Sequence, residues 1–415
     1  MKNQAENQNL KTKIVIVGAG PAGTSLAIRL AKENFQVILI EREKFPRHKL
    51  CGEFISPECF EHFRELGILD EMLMLGGDRI LQTVFYSENG RNVSVPSEWF
   101  NGNRQGALGL SRAEMDFRLM EKAKELGVEV LEECSVIGLL FENEKVCGVK
   151  IKNFEGETEE ILSDLTIDAT GRAKVLAKLS EKEISRKDAK TQRKIRENLR
   201  PKTKVQRQKL VGFKAHLKNV HLEKGRCEIY FFRGGYGGLN YVENGVANHC
   251  FLMKAEIIKE FKSDVEAILQ NVIFQNTRAK ETLKEAENLY DWLAVSVDGF
   301  GIKEINPAKN LLTVGDAAAF IDPFTGSGML MAFESAKILA VVIAENQYSA
   351  EKIVEQYELL HKAKFQRRMQ VCKIMRQLSF IPSFAKSAIS VLSLSKRFRE
   401  TLVRLTRKAG TEKGI

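Results

Sequence analysis

Lys13-Ile-Val-Ile-Val17, followed directly by Gly18-Ala-Gly20-Pro-Ala-Gly23, is the stretch that decides the fold. Its first five residues are mostly apolar and β-branched, which is typical of a strand buried in a parallel sheet. The glycines have the spacing G-x-G-x-x-G, and after them come an apolar-periodic helix and a second apolar strand that ends at Glu41. This order of strand, glycine turn, helix, strand and acid predicts a Rossmann-type dinucleotide-binding unit.

The residue types in this turn suit the binding of a pyrophosphate. Gly18 allows a tight turn, Gly20 lets the backbone approach the phosphates, and Gly23 lets the helix pack closely on the sheet. The helix points its free N–H groups toward the same place, and a carboxylate after the second strand suits a ribose diol. An isolated motif would also fit a turn without a ligand, but the full order argues against that alternative. This unit predicts the following cofactor-binding residues: Gly18, Gly20, Pro21, Ala22, Gly23, Glu41 and Arg42.

A second glycine motif near the other end of the chain indicates which dinucleotide is bound. The apolar strand 310–314 leads into Gly315-Asp316, and Asp322-Pro323-Phe-Thr-Gly326-Ser-Gly328 then opens a predicted helix over 329–342. This segment resembles the second FAD fingerprint of the para-hydroxybenzoate-hydroxylase and geranylgeranyl-reductase families. An acid after the strand suits the ribityl hydroxyls, and a helix N-terminus stabilises negative charge on a flavin. Asp316 by itself would also fit a helix cap. The segment adds these predicted cofactor residues: Asp316, Pro323, Gly326, Ser327, Gly328 and Met329.

Two further segments resemble the same family in order and place. Residues 110–119 resemble its R-x-x-x-D-x-x-L helix, which implies that Arg112 lies against the cofactor. Asp168-Ala-Thr-Gly171-Arg172 resembles its D-A-T-G turn, which implies that Asp168 and Gly171 close over the pyrophosphate. Taken alone, Arg112 and Asp116 would also fit an ion pair on the helix surface.

The segment Phe45-Pro-Arg-His-Lys49-Leu-Cys51-Gly52-Glu53 narrows the family. It resembles the P-x-x-K-x-C-G segment of geranylgeranyl reductases and related halogenase-like enzymes, and the whole resemblance spans residues 13–340. It implies that Lys49, Cys51 and Gly52 lie at the cofactor and that Cys51 takes part in turnover. The alternative is that Cys51 is only a buried small side chain. No C-x-x-x-x-C pair of the disulfide-reductase type is present.

The middle of the chain is predicted to form the substrate-binding part of the protein. Alternating strands over 80–86, 210–217, 227–232 and 246–253 predict an antiparallel sheet over the flavin. The glycine-rich stretch 234–241 stands where tryptophan halogenases carry W-x-W-x-I-P, and the missing tryptophans count against halogenation. Tyr236 in this stretch is our second catalytic candidate, with a plain glycine-rich hairpin as the alternative. The six histidines predict no general acid or base and no metal site, and His48 and His249 fit structural roles better.

These motifs predict an α/β (α+β) fold with a Rossmann-type FAD-binding domain of the glutathione-reductase-like class, an antiparallel-sheet substrate domain and a C-terminal helical segment. The predicted boundaries are a disordered N-terminus (1–12), a discontinuous FAD-binding domain (13–75, 105–178 and 300–345), a substrate domain (76–104 and 205–299), a basic insertion (179–204) and the helical segment (346–415).

Composition and charge limit where the protein works and what it meets. Seven scattered cysteines without a C-x-x-C pattern indicate neither a disulfide framework nor a zinc site, which favours a reducing cytoplasm. No signal-peptide pattern and no apolar run of about 18 residues is present, so we expect a cytoplasmic protein that at most lies on a membrane. The basic, amphipathic C-terminal tail fits either a peripheral membrane contact or packing over the substrate domain. The basic insertion fits an acidic carrier or electron-transfer protein, and without interleaved aromatic residues it argues against nucleic acid.

The predicted function is that of an FAD-dependent oxidoreductase acting on an apolar, isoprenoid- or polyketide-like molecule. The Cys51 segment favours a double-bond reductase of the geranylgeranyl-reductase type. The alternatives are an FAD-dependent monooxygenase and a flavin-bearing partner that docks to a carrier protein without independent turnover. Without a second G-x-G-x-x-G, the electrons are expected from NAD(P)H bound without a domain of its own, from a partner reductase, or from the substrate.

Overall fold

The computed structural model describes residues 12–101, 106–188, 209–346, 349–380, 387, 389–393 and 395–407. The prediction of a disordered N-terminus falls almost wholly outside these residues. So does most of the predicted basic insertion, of which the described beginning belongs to the helix Val175–Asp188.

A five-stranded parallel sheet forms the centre of the first layer. Its strands lie in the order Leu311–Thr313, Leu165–Asp168, Lys13–Val17, Gln36–Ile40 and Glu129–Leu131. The strand Lys13–Val17 lies in the middle, which explains why its sequence is a continuous apolar run. Because Leu311–Thr313 pairs with Leu165–Asp168, the second glycine motif starts at the same edge of the sheet as the first.

Both faces of the parallel sheet are covered. On one face pack three helices, Pro21–Lys32, Arg112–Glu125 and Gly328–Glu345, in a core that includes Ile14, Leu119 and Phe333. On the other face Val15, Val17 and Ile40 pack against a three-stranded antiparallel sheet. The strands of that sheet are Ser135–Glu142, Lys145–Lys152 and Thr158–Leu162.

An eight-stranded sheet forms the second layer. Seven strands follow the order Glu287–Asn288, Leu210–Lys218, Ala247–Lys254, Gly235–Tyr241, Arg226–Phe232, Gln82–Tyr86 and Asn92–Pro96, and Leu293–Val297 pairs with Leu210–Lys218. The predicted antiparallel sheet is therefore confirmed with one correction, because Arg226–Phe232 and Gln82–Tyr86 run parallel. The glycine-rich stretch is an inner strand of this sheet and forms a hairpin with Arg226–Phe232 through a turn at Arg233 and Gly234, as the alternative for this stretch stated.

Smaller elements complete the fold. The predicted strand 80–86 is divided, since Asp78–Ile80 belongs to a separate sheet with Phe54–Ile55 and Ala107–Gly109. Gly301–Ile302 pairs with Ala319–Phe320. The remaining helices are Cys59–Leu66, Leu69–Met74, Glu98–Asn101, Ala255–Glu260, Val265–Asn271, Thr277–Leu283, Ala350–Ser379 and Lys396–Arg407. Short 3-10 turns are Gly171–Ala173, Glu243–Gly245, Ile273–Gln275, Gly315–Ala317 and Pro323–Thr325. Over the described ranges, no helix has both the length and the apolar character needed to cross a membrane.

Candidate functional site

The two glycine motifs and the Cys51 segment converge on one cavity of about 1470 Å³. This cavity is bordered by the parallel sheet at one end and by the eight-stranded sheet at the other. All predicted cofactor residues line it except Gly23, Asp168 and Ser327. The fold thus brings together segments from both ends of the chain.

The glycines of the first turn have different tasks. Gly18 has a φ of 105°, and a Cβ there would lie 2.5 Å from the carbonyl oxygen of Ala169. A Cβ on Gly23 would overlap the carbonyl oxygen of Gly18. At Gly20, by contrast, the nearest atom to a Cβ would be Nη2 of Arg112 at 3.8 Å. Gly18 and Gly23 are therefore required by packing, whereas Gly20 presents open backbone to the cavity.

Asp168 and Ser327 lie away from the cavity because their side chains are used within the protein. The Asp168 carboxylate accepts the backbone N–H groups of Leu176 and Ala177, each at 3.0 Å, and the hydroxyl of Thr170 at 2.6 Å. The fully buried Ser327 donates its hydroxyl to the carbonyl oxygen of Thr325 at 3.3 Å. Asp168 therefore shapes the turn that presents Gly171 to the cavity.

A buried network of charges supports the first turn. The Glu41 carboxylate accepts the backbone N–H of Ala19 at 2.9 Å and pairs with Arg47 at 3.4 Å. Arg47 also donates to Asp116 at 3.0 Å, and Arg112 donates to the same carboxylate at 2.6 and 2.8 Å. Burial disfavours the charge of Arg112, but Asp116 outweighs burial and raises the pKa of Arg112. The alternative of an ion pair on the helix surface is wrong, since Asp116 is buried and Arg112, whose side chain is 11% exposed, lines the cavity.

Asp316 offers the cavity a carboxylate with spare hydrogen-bonding capacity. It borders the cavity, and no group in the described part of the chain donates a hydrogen bond to it. Burial raises the pKa of Asp316 to about 6, and the positive charges of Arg172 and Arg112 limit the rise. A Cβ on Gly328, at the start of the nearby helix, would meet nothing within 4 Å. An acceptor without a donor and two open stretches of glycine backbone fit the FAD that the sequence predicts.

The Cys51 segment is held against the cavity by the polar face of the eight-stranded sheet. The side-chain amide of Asn248 donates to the carbonyl oxygen of Cys51 at 3.2 Å, and that of Asn240 donates to the carbonyl oxygen of Glu53 at 3.3 Å. Cys51 is half-buried, borders the cavity and also packs against the core. Its position therefore combines both readings of the sequence, a packed side chain and a side chain at the cavity.

Glu53 is the centre of a buried ionic cluster. Its carboxylate accepts hydrogen bonds from Lys214, from the backbone N–H of Arg112 at 2.8 Å, and pairs with Nε2 of His216 at 2.6 Å. Burial by itself would raise the pKa of Glu53, but the hydrogen bond from His216 and the charge of Lys214 outweigh it and lower the pKa. The exposed His48 meets the ring of His216 edge-on, with 5.2 Å between centroids. Glu53 also has a φ of 51°, a left-handed conformation that is costly outside glycine and often marks a functional site.

The other candidates from the sequence have defined places. The hydroxyl of the buried Tyr236 donates to Asp322 at 2.8 Å, and burial and the charge of Asp322 raise the pKa of the phenol. That hydroxyl is therefore occupied, although Tyr236 still borders the cavity. His249 is fully buried, and burial lowers its pKa to about 4. It lies in the sheet next to the aromatic ring of Phe251 and not at the cavity lining.

The second half of the cavity is apolar. The eight-stranded sheet contributes Phe85, Val93 and Phe231, and Phe324 follows from the second glycine motif. The C-terminal helical segment covers this half with Val371, Ile374, Met375, Ile389 and Leu392. The C-terminal helical segment therefore packs over the substrate side, which was one of the two alternatives that the sequence left open.

Sequence reasoning missed four of the charged residues that organise this site. Arg47, Lys214 and His216 were not singled out, and Glu53 was left without a role. The signal was present in one strand, because Lys214 and His216 alternate within an apolar run and must therefore share one face. Their common partner, Glu53, lies 161 residues from Lys214 in the chain, and no local pattern links the two.

Comparisons with known proteins agree with this geometry. A family model described as an FAD binding domain matches residues 11–224, more than half of the chain. Digeranylgeranylglycerophospholipid reductase 1 of Methanococcoides burtonii is 26% identical over 391 residues, covering 92% of this chain and 86% of the relative. A geranylgeranyl bacteriochlorophyll reductase-like structure from Thermoplasma acidophilum has a TM-score of 0.76 and 20% identity, and covers 96% of each chain. The flavin-dependent brominase Bmp2 has a TM-score of 0.75 at 18% identity, covering 96% of this chain and 93% of the brominase.

Proposed function

Given that the chain belongs to the FAD binding domain family and is an FAD-dependent oxidoreductase, we propose that it reduces carbon–carbon double bonds in an apolar, isoprenoid-like molecule. One observation carries the proposal: the cavity continues from the FAD-binding turns, past Cys51 and Glu53, into a large apolar chamber. The relative from Methanococcoides burtonii, whose name denotes a reductase of an isoprenoid lipid, supports this substrate class.

FAD, when bound, supplies two-electron redox chemistry. The residues that would hold it are the open backbone at Gly20 and Gly328, the Asp316 carboxylate and the Glu41 carboxylate. The N-termini of the helices Pro21–Lys32 and Gly328–Glu345 both begin at this cavity, so their dipoles favour negative charge there. Arg47 holds the Glu41 carboxylate in place, and Asp116 joins Arg47 to Arg112.

The apolar chamber binds and orients the substrate. Phe85, Val93, Phe231 and Phe324 provide apolar walls without hydrogen-bonding groups, so an extended hydrocarbon is favoured over a polar metabolite. The C-terminal helical segment over this chamber excludes water from the reacting bond. Cys51, at the junction of the two halves, lies beside the reacting carbon in this proposal.

Reduction of a double bond also requires a proton, and the Glu53 cluster can hold one at the cavity wall. Nε2 of His216 lies 2.6 Å from Oε2 of Glu53, which lines the cavity, and a proton on this nitrogen is the one that we propose for the reaction. His48 contacts His216 from the exposed side and provides a route for its replacement from solvent. As electron donor we propose NAD(P)H, bound without a domain of its own, or a partner reductase.

Anaerobic absorbance spectroscopy of the purified holoenzyme tests this function. NADPH should bleach the flavin bands, and an isoprenoid alcohol such as geranylgeraniol should restore them without oxygen and gain two hydrogens by mass spectrometry. The Cys51→Ala variant should keep its flavin spectrum but slow this step, whereas Cys250→Ala, at the same cavity, should not.

Other outcomes identify the alternatives. Recovery of the bands only on admission of air, with one oxygen atom gained by the product, would indicate a monooxygenase. A flavin that no reductant bleaches productively would indicate a flavin-bearing partner of a carrier protein. A colourless protein that cannot be reconstituted with FAD would contradict the whole proposal.

A further inference from the structure

The last 66 residues carry a large surplus of positive charge. Residues 350–415 contain 15 Lys and Arg against five Glu and no Asp, a surplus of ten that equals the net charge of the whole chain, +10. The preceding residues contain 49 basic and 49 acidic side chains. This segment and the basic stretch 182–209, which has 12 Lys and Arg against three Asp and Glu, are the two concentrations of positive charge in the chain.

The same segment forms the mouth of the apolar chamber. Ile374 and Val391 line the cavity, yet 58% of Ile374 and 53% of Val391 is exposed. Lys373, Lys396 and Arg397 are exposed beside them in sequence. We call these five residues the C-terminal rim.

Exposure of the apolar side chains of the C-terminal rim to water is unfavourable. A large apolar side chain that borders an apolar chamber would ordinarily turn inward, and exposed apolar side chains flanked by charge mark interaction surfaces. A basic helix alone is usually a solvated face. The combination of an apolar opening with a strongly basic segment matches a lipid surface, where basic side chains meet anionic headgroups and apolar ones enter the acyl boundary.

We propose that the C-terminal rim docks the protein on an anionic lipid bilayer, with the mouth of the chamber facing the hydrocarbon. Docking of this kind delivers an isoprenoid-like substrate from the membrane to the chamber without passage through water. The inference rests on the proposed function for its biological purpose, whereas the surface follows from charge and exposure alone.

Vesicle co-sedimentation of the full-length holoenzyme tests the surface. We expect binding to vesicles of phosphatidylcholine with phosphatidylglycerol, weak binding to phosphatidylcholine alone, and release at high salt. The double variant Lys396→Glu/Arg397→Glu should weaken binding by roughly thirtyfold or more. Val391→Ser should weaken it at all salt concentrations, since it removes apolar and not electrostatic contact.

The matched control is Lys224→Glu/Lys262→Glu, which makes the same change of charge at two exposed lysines of the substrate side. Equal loss in rim and control variants, or no binding to anionic vesicles, would overturn the proposal. Binding to soluble polyglutamate but not to vesicles would overturn it as well and indicate an acidic protein partner. Flavin absorbance and circular dichroism confirm that each variant is folded. Vesicle binding without reduction of geranylgeraniol would count against the proposed function and leave the docking surface supported. Reduction of geranylgeraniol without vesicle binding would support the proposed function and overturn the docking surface.

Discussion

Replacing Asp316 by Asn should make the apoprotein more stable while weakening its hold on FAD. Burial raises the pKa of Asp316 to about 6 from 3.8, so the folded state binds the proton more tightly than the unfolded state does. Ionisation of this carboxyl therefore destabilises the fold as pH rises from 3.8 through 6. The side chain is retained, in our interpretation, because the bound cofactor supplies the donors that the protein does not.

The size of the effect follows from the two pKa values. Since one pKa unit corresponds to about 1.4 kcal/mol, an ionisable Asp316 costs the fold about 3 kcal/mol at pH 8 and roughly half of that at pH 5. Asn resembles the protonated acid and does not bear this cost. The free energy of unfolding of the Asp316→Asn apoprotein should exceed that of the wild type by these amounts. The affinity of the variant for FAD should fall by roughly tenfold to a hundredfold, because a charged hydrogen bond is lost.

Urea unfolding of the deflavinated protein at pH 5 and pH 8 measures the first effect, and titration with FAD measures the second. Asp298→Asn is the matched control, because Asp298 borders the same cavity but is exposed. Its replacement should leave stability nearly unchanged at both pH values. A variant at Asp316 that is less stable than the wild type at pH 8 would refute the reasoning, since the carboxylate would then have a stabilising partner within the apoprotein.

The Glu53 cluster and the first glycine turn give the remaining predictions, which concern stability and cofactor binding. Glu53→Gln leaves Lys214 buried beside a neutral group and should lower the free energy of unfolding by about 3–5 kcal/mol, and adding Lys214→Met should recover much of this; a loss below about 1 kcal/mol would contradict the buried cluster. Gly20→Val should fold normally by circular dichroism but purify without flavin colour, because its side chain enters open space at the cavity. Gly23→Ala should fail to fold, since its Cβ overlaps the backbone of the first turn. A yellow Gly20→Val protein would show that the cofactor does not approach this turn.

The local parts of the fold were predictable because their causes are local. The strand before Gly18, the helix from Pro21 and the helix after Gly328 all follow from apolar periodicity and from conformations that glycine adopts easily. Family resemblance then indicated the cofactor. The strand 80–86 was predicted as one element because its alternation continues, but the chain passes into another sheet at Leu81.

The roles of individual side chains were less predictable. Asp168 belongs to a motif that resembles a cofactor turn, yet its carboxylate is directed to the N-terminus of the helix Val175–Asp188. Arg112 and Asp116 have the spacing of an ordinary surface pair, yet the neighbouring elements bury both. Such outcomes depend on the segments that pack against a helix or turn, and the sequence of the helix or turn itself does not specify those segments.

By itself, the sequence determined the strand, turn and helix at each glycine motif, because each depends on residues that are neighbours in the chain, and the resemblance of these motifs to a known family indicated the class of cofactor. Only the tertiary structure decided that Glu53 meets Lys214 and His216, that Arg47 joins Glu41 to Asp116, and that the basic C-terminal segment covers the apolar chamber. The physical reason is that a buried charge must find its partner across space. Which distant segment supplies that partner is decided by how sheets and helices pack together.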